Sequence, residues 1–296
     1  MDADVMDDGA GSEKQVMTTY VFHQVDVFAA APLKGNPLAV VAGADALDDA
    51  QMAAFANWMN LSETTFLLKP TMPGADYRVR IFTPEEELPF AGHPTLGSCH
   101  VWLAMGGVPQ GRDVVQECGA GLVTVRRGGD GLAFAAPPLR RAGPVDASDL
   151  EAVTRILGLS TDRIAASNWV DNGPGWLALM LRDREALLAL RPDAQALGDW
   201  RIGLVAPWDP ARDGDAAQFE VRAFTGGGTV FEDPVTGSLN AGLATWLIGA
   251  GLAPDRYIVR QGTVLGRMGR VRVARDEAGF WIGGDTVTRI SGQVTL

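Results

Sequence analysis

The sequence predicts an α+β protein built from two similar halves, each with strands wrapped around one apolar helix. Three observations support this fold class: the chain length, an internal repeat, and apolar residues that recur at strand and helix periods. A chain of 296 residues exceeds the roughly 100–200 residues of a usual domain, so two domains are expected. An apolar fraction of 47% is sufficient for a hydrophobic core in each domain.

The internal repeat begins with two strand-like segments that share the pattern aromatic-x-Val-Arg-x-Phe-Thr, at Tyr77–Thr83 and Phe219–Thr225. The first is followed by His-Pro-Thr-Leu-Gly-Ser from His93, and the second by Asp-Pro-Val-Thr-Gly-Ser from Asp233. Both hexapeptides lead into apolar stretches that are typical of buried helices. Several matches in the same order indicate a duplication, and this alignment pairs His93 with Asp233.

Local patterns place further elements around the repeat. β-branched and aromatic residues predict strands at Tyr20–Phe28, Leu38–Val41, Thr64–Leu68 and Tyr77–Phe82. Gly35-Asn36-Pro37 predicts a turn. Asp48 and Gln51 form a capping box before helically spaced apolar residues, so a helix should end near Asn60. Ser148 and Glu151 frame another predicted helix start.

Composition separates the chain into three parts. Residues 1–16 are acidic and aperiodic, and we expect them to form a disordered tail. A Pro-rich joint from Pro137 to Pro144 divides the remainder. Residues 17–137 with about 287–296 are therefore predicted to form the N-terminal domain, and residues 138–286 the C-terminal domain.

Charge and composition also argue against several classes of protein. A net charge of −11 opposes nucleic-acid binding, which needs clustered basic residues. No apolar run approaches the ~20 residues of a membrane helix. The acidic N-terminus lacks signal-peptide features, and two cysteines without C-x-x-C spacing favour a reducing compartment, so we predict a cytoplasmic protein. His93 and His100 lack a third ligand at suitable spacing, so no metal site is expected.

Two features of the sequence suggest acid–base chemistry. Two duplicated helix starts that face one another would hold a carboxylate with free backbone N–H groups, without a metal. Glu63 lies where a helix ends and an apolar strand begins, and partial burial would raise its pKa enough for proton transfer. The same pattern also fits a surface Glu. His93 and Asp233 equally fit structural roles, with Asp233 as a helix N-cap.

At these residues the sequence resembles the PhzF family of phenazine-biosynthesis-like isomerases. The matching motifs extend from Met17 onward and are Gly35–Val41, Asn60–Phe66, Arg80–Pro84, Glu87–Gly97, Asp171–Pro174, Glu232–Ser238 and Gln261–Gly262. The resemblance implies the diaminopimelate-epimerase-like fold, in which each of two pseudo-symmetric domains is a β-barrel-like sheet around a central helix. It also implies a homodimer, no cofactor, and a site between the domains.

The resemblance implies an isomerase as well. Family members of known chemistry move a proton between ring carbons of a dihydro-hydroxyanthranilate. Carried over to this chain, Glu63 would be the general acid/base, with His93 and Asp233 as further catalytic residues. A small carboxylate-bearing substrate would be bound by Ser62, Gly92, Gly237 and Ser238.

One departure from the family leaves the substrate open. Leu239 and Asn240 stand where the family usually has small residues, and a bulkier side chain there would narrow the pocket. Two alternatives also stay open: a cofactor-independent racemase or epimerase of a small acid, and a non-catalytic small-molecule-binding protein of the same fold. A two-thiol racemase would need a cysteine at each helix start, where the alignment places His93 and Asp233.

Overall fold

The computed structural model describes residues 17–214, 216–226 and 231–296, so the predicted acidic tail, residues 1–16, lies outside the described residues. The strands are β1 (Thr19–Val27), β2 (Asn36–Ala42), β3 (Thr64–Leu68), β4 (Tyr77–Phe82), β5 (Glu87–Leu88), β6 (Val114–Cys118), β7 (Gly121–Gly128), β8 (Gly131–Ala135), β9 (Arg141–Gly143), β10 (Ile164–Asp171), β11 (Trp176–Leu181), β12 (Arg201–Pro207), β13 (Phe219–Thr225), β14 (Glu232–Asp233), β15 (Arg256–Gln261), β16 (Gly269–Asp276), β17 (Gly279–Gly284) and β18 (Thr286–Thr295). The helices are α1 (Asp49–Met59), α2 (Gly92–Ala104), α3 (Ala147–Leu157), α4 (Arg184–Ala189), α5 (Pro210–Asp213) and α6 (Gly237–Gly249). No helix among the described residues is long and apolar enough to cross a membrane.

The order of strand pairing is the same in the two halves. The N-terminal half runs β18–β1–β2–β3–β4–β6–β7–β8. The C-terminal half runs β9–β10–β11–β12–β13–β15–β16–β17. Equivalent pairs have the same direction, since β2–β3 and β11–β12 are parallel, as are β4–β6 and β13–β15. This repeated topology confirms the predicted fold class of two pseudo-symmetric halves.

The two sheets are joined, and neither closes. Antiparallel pairing of β8 with β17 makes one continuous sheet of both halves. No ladder between described strands joins β18 to β8, or β9 to β17, so each sheet curves around its helix without forming a closed barrel. The last strand, β18, lies against the first, β1, with Thr295 opposite Thr19. The exact domain limits stay a prediction.

The central helices α2 and α6 are buried because they are apolar or small on every side. Nine of the 13 residues are buried in each helix. Small residues let the sheets approach closely, and a Cβ on Gly242 of α6 would lie 2.2 Å from the carbonyl oxygen of Val170 on β10. One apolar core runs through both halves, from Leu96 of α2 to Leu243 of α6. This shared core fixes the position of one helix relative to the other.

Two predicted helix starts had different outcomes. The capping box is confirmed, because Asp48 Oδ1 accepts from the Gln51 backbone N–H at 2.8 Å and Gln51 Oε1 accepts from the Asp48 N–H at 3.0 Å. That helix ends at Asn60 in the left-handed conformation, as expected. The start predicted at Ser148 is wrong. Asp146 is the extended residue before α3, so the helix already begins at Ala147.

Candidate active site

The central helices begin at one place, where the two halves meet. α2 starts at Gly92 and α6 at Gly237. A Cβ on either glycine would lie 2.8 Å from the Cα of the other, so the two backbones are in direct contact. The first N–H groups of a helix lack intrahelical partners and carry the positive end of its dipole. Both sets of donors therefore lie at this junction, an arrangement suited to an anion.

The contact between Gly92 and Gly237 corrects the alignment of the two repeated segments. Because Gly92 is equivalent to Gly237, His93 corresponds to Ser238, and Asp233 corresponds to Leu88. The alignment that pairs His93 with Asp233 is wrong by five positions. Proline is accepted both in a first helical turn and in an extended segment. The two X-Pro dipeptides therefore do not mark the same helix position, since Pro94 lies inside α2 and Pro234 before α6.

We predict that Gly237→Ala destabilises the protein by about 1–3 kcal/mol and lowers its activity, because the added methyl forces the two helix starts apart. Gly249→Ala is the matched control, since a Cβ at that last residue of α6 meets no atom within 4 Å. The control should be neutral or slightly stabilising. Urea unfolding measures both effects. Equal stability of the two variants would contradict the direct contact.

The Glu63 carboxyl lies beside the His93 imidazole. Glu63 immediately precedes β3, and His93 is in the first turn of α2. Glu63 Oε2 is 3.3 Å from His93 Nε2, and the two side chains are 15% and 3% exposed. Neither of these buried atoms makes a well-aligned hydrogen bond within the described part of the chain. Both atoms therefore have bonding capacity available to a substrate.

Asn36, which the sequence pattern assigned to a turn, is a fully buried link in this cluster at the start of β2. Its Nδ2 lies 2.8 Å from Asp233 Oδ1, 3.0 Å from the Val235 carbonyl oxygen and 3.4 Å from His93 Nδ1. An amide nitrogen only donates, so this contact favours the neutral tautomer in which His93 Nδ1 accepts and Nε2 carries the proton, towards Glu63. In the sequence, the signal for a buried role of Asn36 is an amide residue at the first position of an apolar strand.

Asp233 is held by donors from both halves. Oδ1 accepts from Ser62 Oγ at 3.1 Å as well as from Asn36, and Oδ2 accepts from Thr236 Oγ1 at 2.6 Å. The alternative role of Asp233 as the N-cap of α6 is excluded, because the N-cap is Thr236 and no side chain caps this helix start. Gln261 supports the segment by donating from Nε2 to the Asp233 carbonyl oxygen at 3.1 Å. The side chain is therefore fixed at the boundary between the halves.

Leu239 and Asn240 do not narrow the cavity. Leu239 is fully buried and packs against β12, where a Cβ on Gly203 would lie 2.3 Å from Leu239 Cδ1. Asn240 Nδ2 donates to the Thr236 carbonyl oxygen at 2.8 Å and to Gln261 Oε1 at 3.0 Å. Both side chains point into the C-terminal half. Their size is accommodated by Gly203 and by this hydrogen-bond network.

Burial sets the protonation of the three candidate catalytic residues. Burial first, and then the nearby Asp233 charge, raise the pKa of Glu63 well above its ordinary value. Burial raises the pKa of Asp233 to about 6, although its three hydrogen-bond donors oppose the shift. Burial lowers the pKa of His93 to about 3, so the ring is neutral near pH 7. Two neighbouring carboxyls with raised pKa values suit a site that takes up and returns a proton.

A cavity of about 1090 Å³ lies between the halves. Of the predicted site residues, Ser62, Glu63, Asp233 and Ser238 line it, and Gly92, His93 and Gly237 lie at the adjoining helix contact. Trp176 also lines it and donates from Nε1 to Ser238 Oγ at 3.0 Å. The structure thus brings all seven predicted residues into one region.

Neither cysteine reaches the cavity. Cys99 lies within α2 and Cys118 ends β6, and both are free, buried thiols. Burial raises the pKa of Cys99 to about 12, which keeps the thiol protonated. No group of three His, Cys, Asp or Glu residues in the described part of the chain is arranged to hold a metal ion. The titratable groups beside the cavity are therefore mainly carboxyls.

Similarity to known proteins agrees with this arrangement. A model of the family described as "Phenazine biosynthesis-like protein" (PhzC-PhzF) matches residues 25–293. The chain is 38% identical to trans-2,3-dihydro-3-hydroxyanthranilate isomerase of Pseudomonas fluorescens, over 78% of this chain and 80% of that protein. It is 35% identical to antisense-enhancing sequence 1 of Schizosaccharomyces pombe, over 94% and 99%. The crystal structure of a PhzF-family protein from Enterococcus faecalis has a TM-score of 0.77 at 27% identity, covering 94% of this chain and all of that one.

Proposed function

We propose that this chain, which belongs to the PhzC-PhzF family and is an isomerase, moves a proton between carbons of a small unsaturated carboxylate. The proposed mechanism is cofactor-independent general acid/base catalysis by Glu63. The observation that carries the proposal is the buried Glu63 carboxyl at the wall of the cavity between the halves, with its pKa raised by burial. The relative named trans-2,3-dihydro-3-hydroxyanthranilate isomerase makes that compound the first substrate to test.

In the proposed reaction Glu63 acts twice. As a carboxylate it takes a proton from a carbon next to an unsaturated system, and the electron pair of that C–H bond passes into the system. As a carboxylic acid, whose proton exchanges with solvent, it delivers a proton to another carbon, so the double bonds move and the product is an isomer of the substrate. His93 supports both steps, because its neutral ring keeps an N–H beside Glu63 Oε2.

The remaining residues are assigned to binding and positioning. The backbone N–H groups around Gly92 and Gly237 suit the substrate carboxylate, since both belong to helix starts in contact. The Ser62 and Ser238 hydroxyls line the same cavity. Asp233 receives hydrogen bonds from Asn36 and Ser62, and thus connects the two halves next to the reacting carbon.

The alternative of a two-thiol racemase finds no support in the cavity. That chemistry needs a cysteine at each helix start, and the equivalent positions hold His93 and Ser238.

The homodimer and the cytoplasmic location expected from the sequence stay predictions. Sedimentation velocity measures the oligomeric state directly.

The proposed function is tested by incubating the protein with trans-2,3-dihydro-3-hydroxyanthranilate in D₂O. We expect isomerisation, with deuterium at the newly formed C–H bond and slower turnover when the reacting carbon carries deuterium. Proton NMR follows both effects. Conversion with neither solvent deuterium nor an isotope effect would contradict proton transfer through an enzyme carboxyl.

A further inference from the structure

Two arginines of the C-terminal half line the same cavity as Glu63. Arg201 begins β12, and Arg140 immediately precedes β9. Arg201 is the register partner of Trp176 on the parallel strand β11. Because the Trp176 indole donates to Ser238 at the start of α6, Arg201 lies one strand away from the side chain that contacts the proposed carboxylate site.

Both guanidinium groups have unused donors. Arg201 Nη1 donates to the Gly226 carbonyl oxygen at 2.6 Å. A guanidinium has five N–H donors in a planar fork, so this bond leaves most of them available. Among the described residues no carboxylate forms an ion pair with Arg140 or Arg201, and Asp199, which lines the same cavity, is paired with neither.

None of the acidic residues that line the cavity forms an ion pair with either arginine among the described residues. Three of them, Glu85, Glu86 and Glu87, belong to the N-terminal half, and Glu87 Oε2 is paired with Arg80 Nη2 at 2.6 Å. In the C-terminal half, apart from Asp233 beside Glu63, Asp199 alone among the described lining residues opposes the two arginines. Besides Asp233, the C-terminal wall thus presents two guanidinium groups and the single further carboxyl of Asp199.

The cavity is also large for a single small acid. Ligand pockets usually measure ~300–1,000 Å³, whereas this one measures about 1090 Å³. Its lining includes Ser62, Glu63 and Asp233 as well as Arg140 and Arg201. The cavity thus has room, and two arginine side chains, in addition to the groups that the proposed reaction needs.

Resting on the proposed function, we infer that the substrate carries a second carboxylate, which Arg201 binds with Arg140 beside it. The first carboxylate lies at the helix starts and the unsaturated carbons lie between the two, next to Glu63. The preferred substrate class is a dicarboxylic unsaturated acid, and a monocarboxylic acid such as trans-2,3-dihydro-3-hydroxyanthranilate leaves the Arg201 contact unmade and binds less tightly. A planar carboxylate matches the guanidinium fork and accepts two parallel hydrogen bonds from it.

The inference is tested by calorimetric titration of the intact protein with benzoate and with benzene-1,3- and benzene-1,4-dicarboxylate. At least one dicarboxylate is expected to bind about tenfold or more tightly than benzoate, as a charge-assisted bidentate contact implies. Arg201→Gln should remove this gain while the Kd of benzoate changes by less than about twofold. Arg155→Gln, an exposed arginine of α3 that does not line the cavity, is the matched control and should keep the gain.

Two outcomes would overturn the inference: dicarboxylates that bind wild-type protein no more tightly than benzoate, or an Arg201→Gln loss that is equal for both probe classes. If circular dichroism shows that Arg201→Gln does not fold, Arg140→Gln is tested instead, because the Arg140 side chain is exposed. Dicarboxylate binding that is not weakened in Arg140→Gln would then overturn the inference. Binding is measured without turnover. Conversion without proton transfer in the deuterium experiment would thus refute the proposed function and leave the second-carboxylate result interpretable.

Discussion

Replacing Glu63 with glutamine is expected to lower kcat by roughly 10²–10⁴-fold, the usual contribution of a general acid/base. Glutamine has almost the shape of glutamate, yet its amide neither takes up nor returns a proton at neutral pH. Packing beside His93 is preserved, so KM should change little. Turnover and deuterium incorporation in D₂O measure the loss together, and incorporation at the wild-type rate would refute the role of Glu63.

The matched control is Glu86→Gln, the same substitution at a residue that lines the same cavity. We expect it to keep near-wild-type turnover, because Glu86 is exposed in the loop before β5 and, unlike Glu63, forms no ion pair with His93 among the described residues. The thermal stability of Glu63→Gln distinguishes a loss of catalysis from a loss of the folded structure. A carboxyl with a raised folded-state pKa stabilises the protein at low pH, and this contribution is lost as pH rises through that pKa. Glu63→Gln should therefore melt no earlier than wild type at pH 8.

The sequence was most informative about architecture. The repeated strand pattern predicted two equivalent halves, and β4 and β13 take equivalent places in the two ladders. The strand bounds at Thr64–Leu68 and Tyr77–Phe82 were also predicted correctly. Strand and helix periods are local signals, so they survive in a single sequence without any knowledge of tertiary contacts.

Such local patterns do not predict the contacts between the two halves. The alignment paired His93 with Asp233 through their prolines, whereas the helix contact pairs His93 with Ser238. Asn36 was assigned to a turn, and its three acceptors come from segments about 57 to 199 residues away. No local period encodes such distant partners. Glu63 itself was selected through family resemblance, because its own sequence surroundings fit a surface carboxylate better than a catalytic one.

Replacing Asp233 with asparagine is expected to move the acid limb of the pH–activity profile to lower pH. The negative charge of Asp233 raises the pKa of Glu63, second only to burial. Without that charge Glu63 loses its proton more readily, so the base form persists at lower pH. We also expect kcat to fall by roughly tenfold or more, since the asparagine amide presents a donor to Ser62, Asn36 or Thr236. A pH series of initial rates measures both effects.

The same substitution has a stability signature that a general loss of packing would not give. The pKa of Asp233 is about 6 in the folded protein, against about 3.9 in an unfolded chain. Its protonated form therefore stabilises the fold below about pH 4, and that contribution is lost as pH rises to about 6. In Asp233→Asn, Tm should therefore decrease less over this pH range than in the wild type. In Asp199→Asn, a substitution in the same cavity, Tm should decrease as much as in the wild type. An acid limb that stays in place, with an unchanged Tm profile, would show that Asp233 and Glu63 titrate independently.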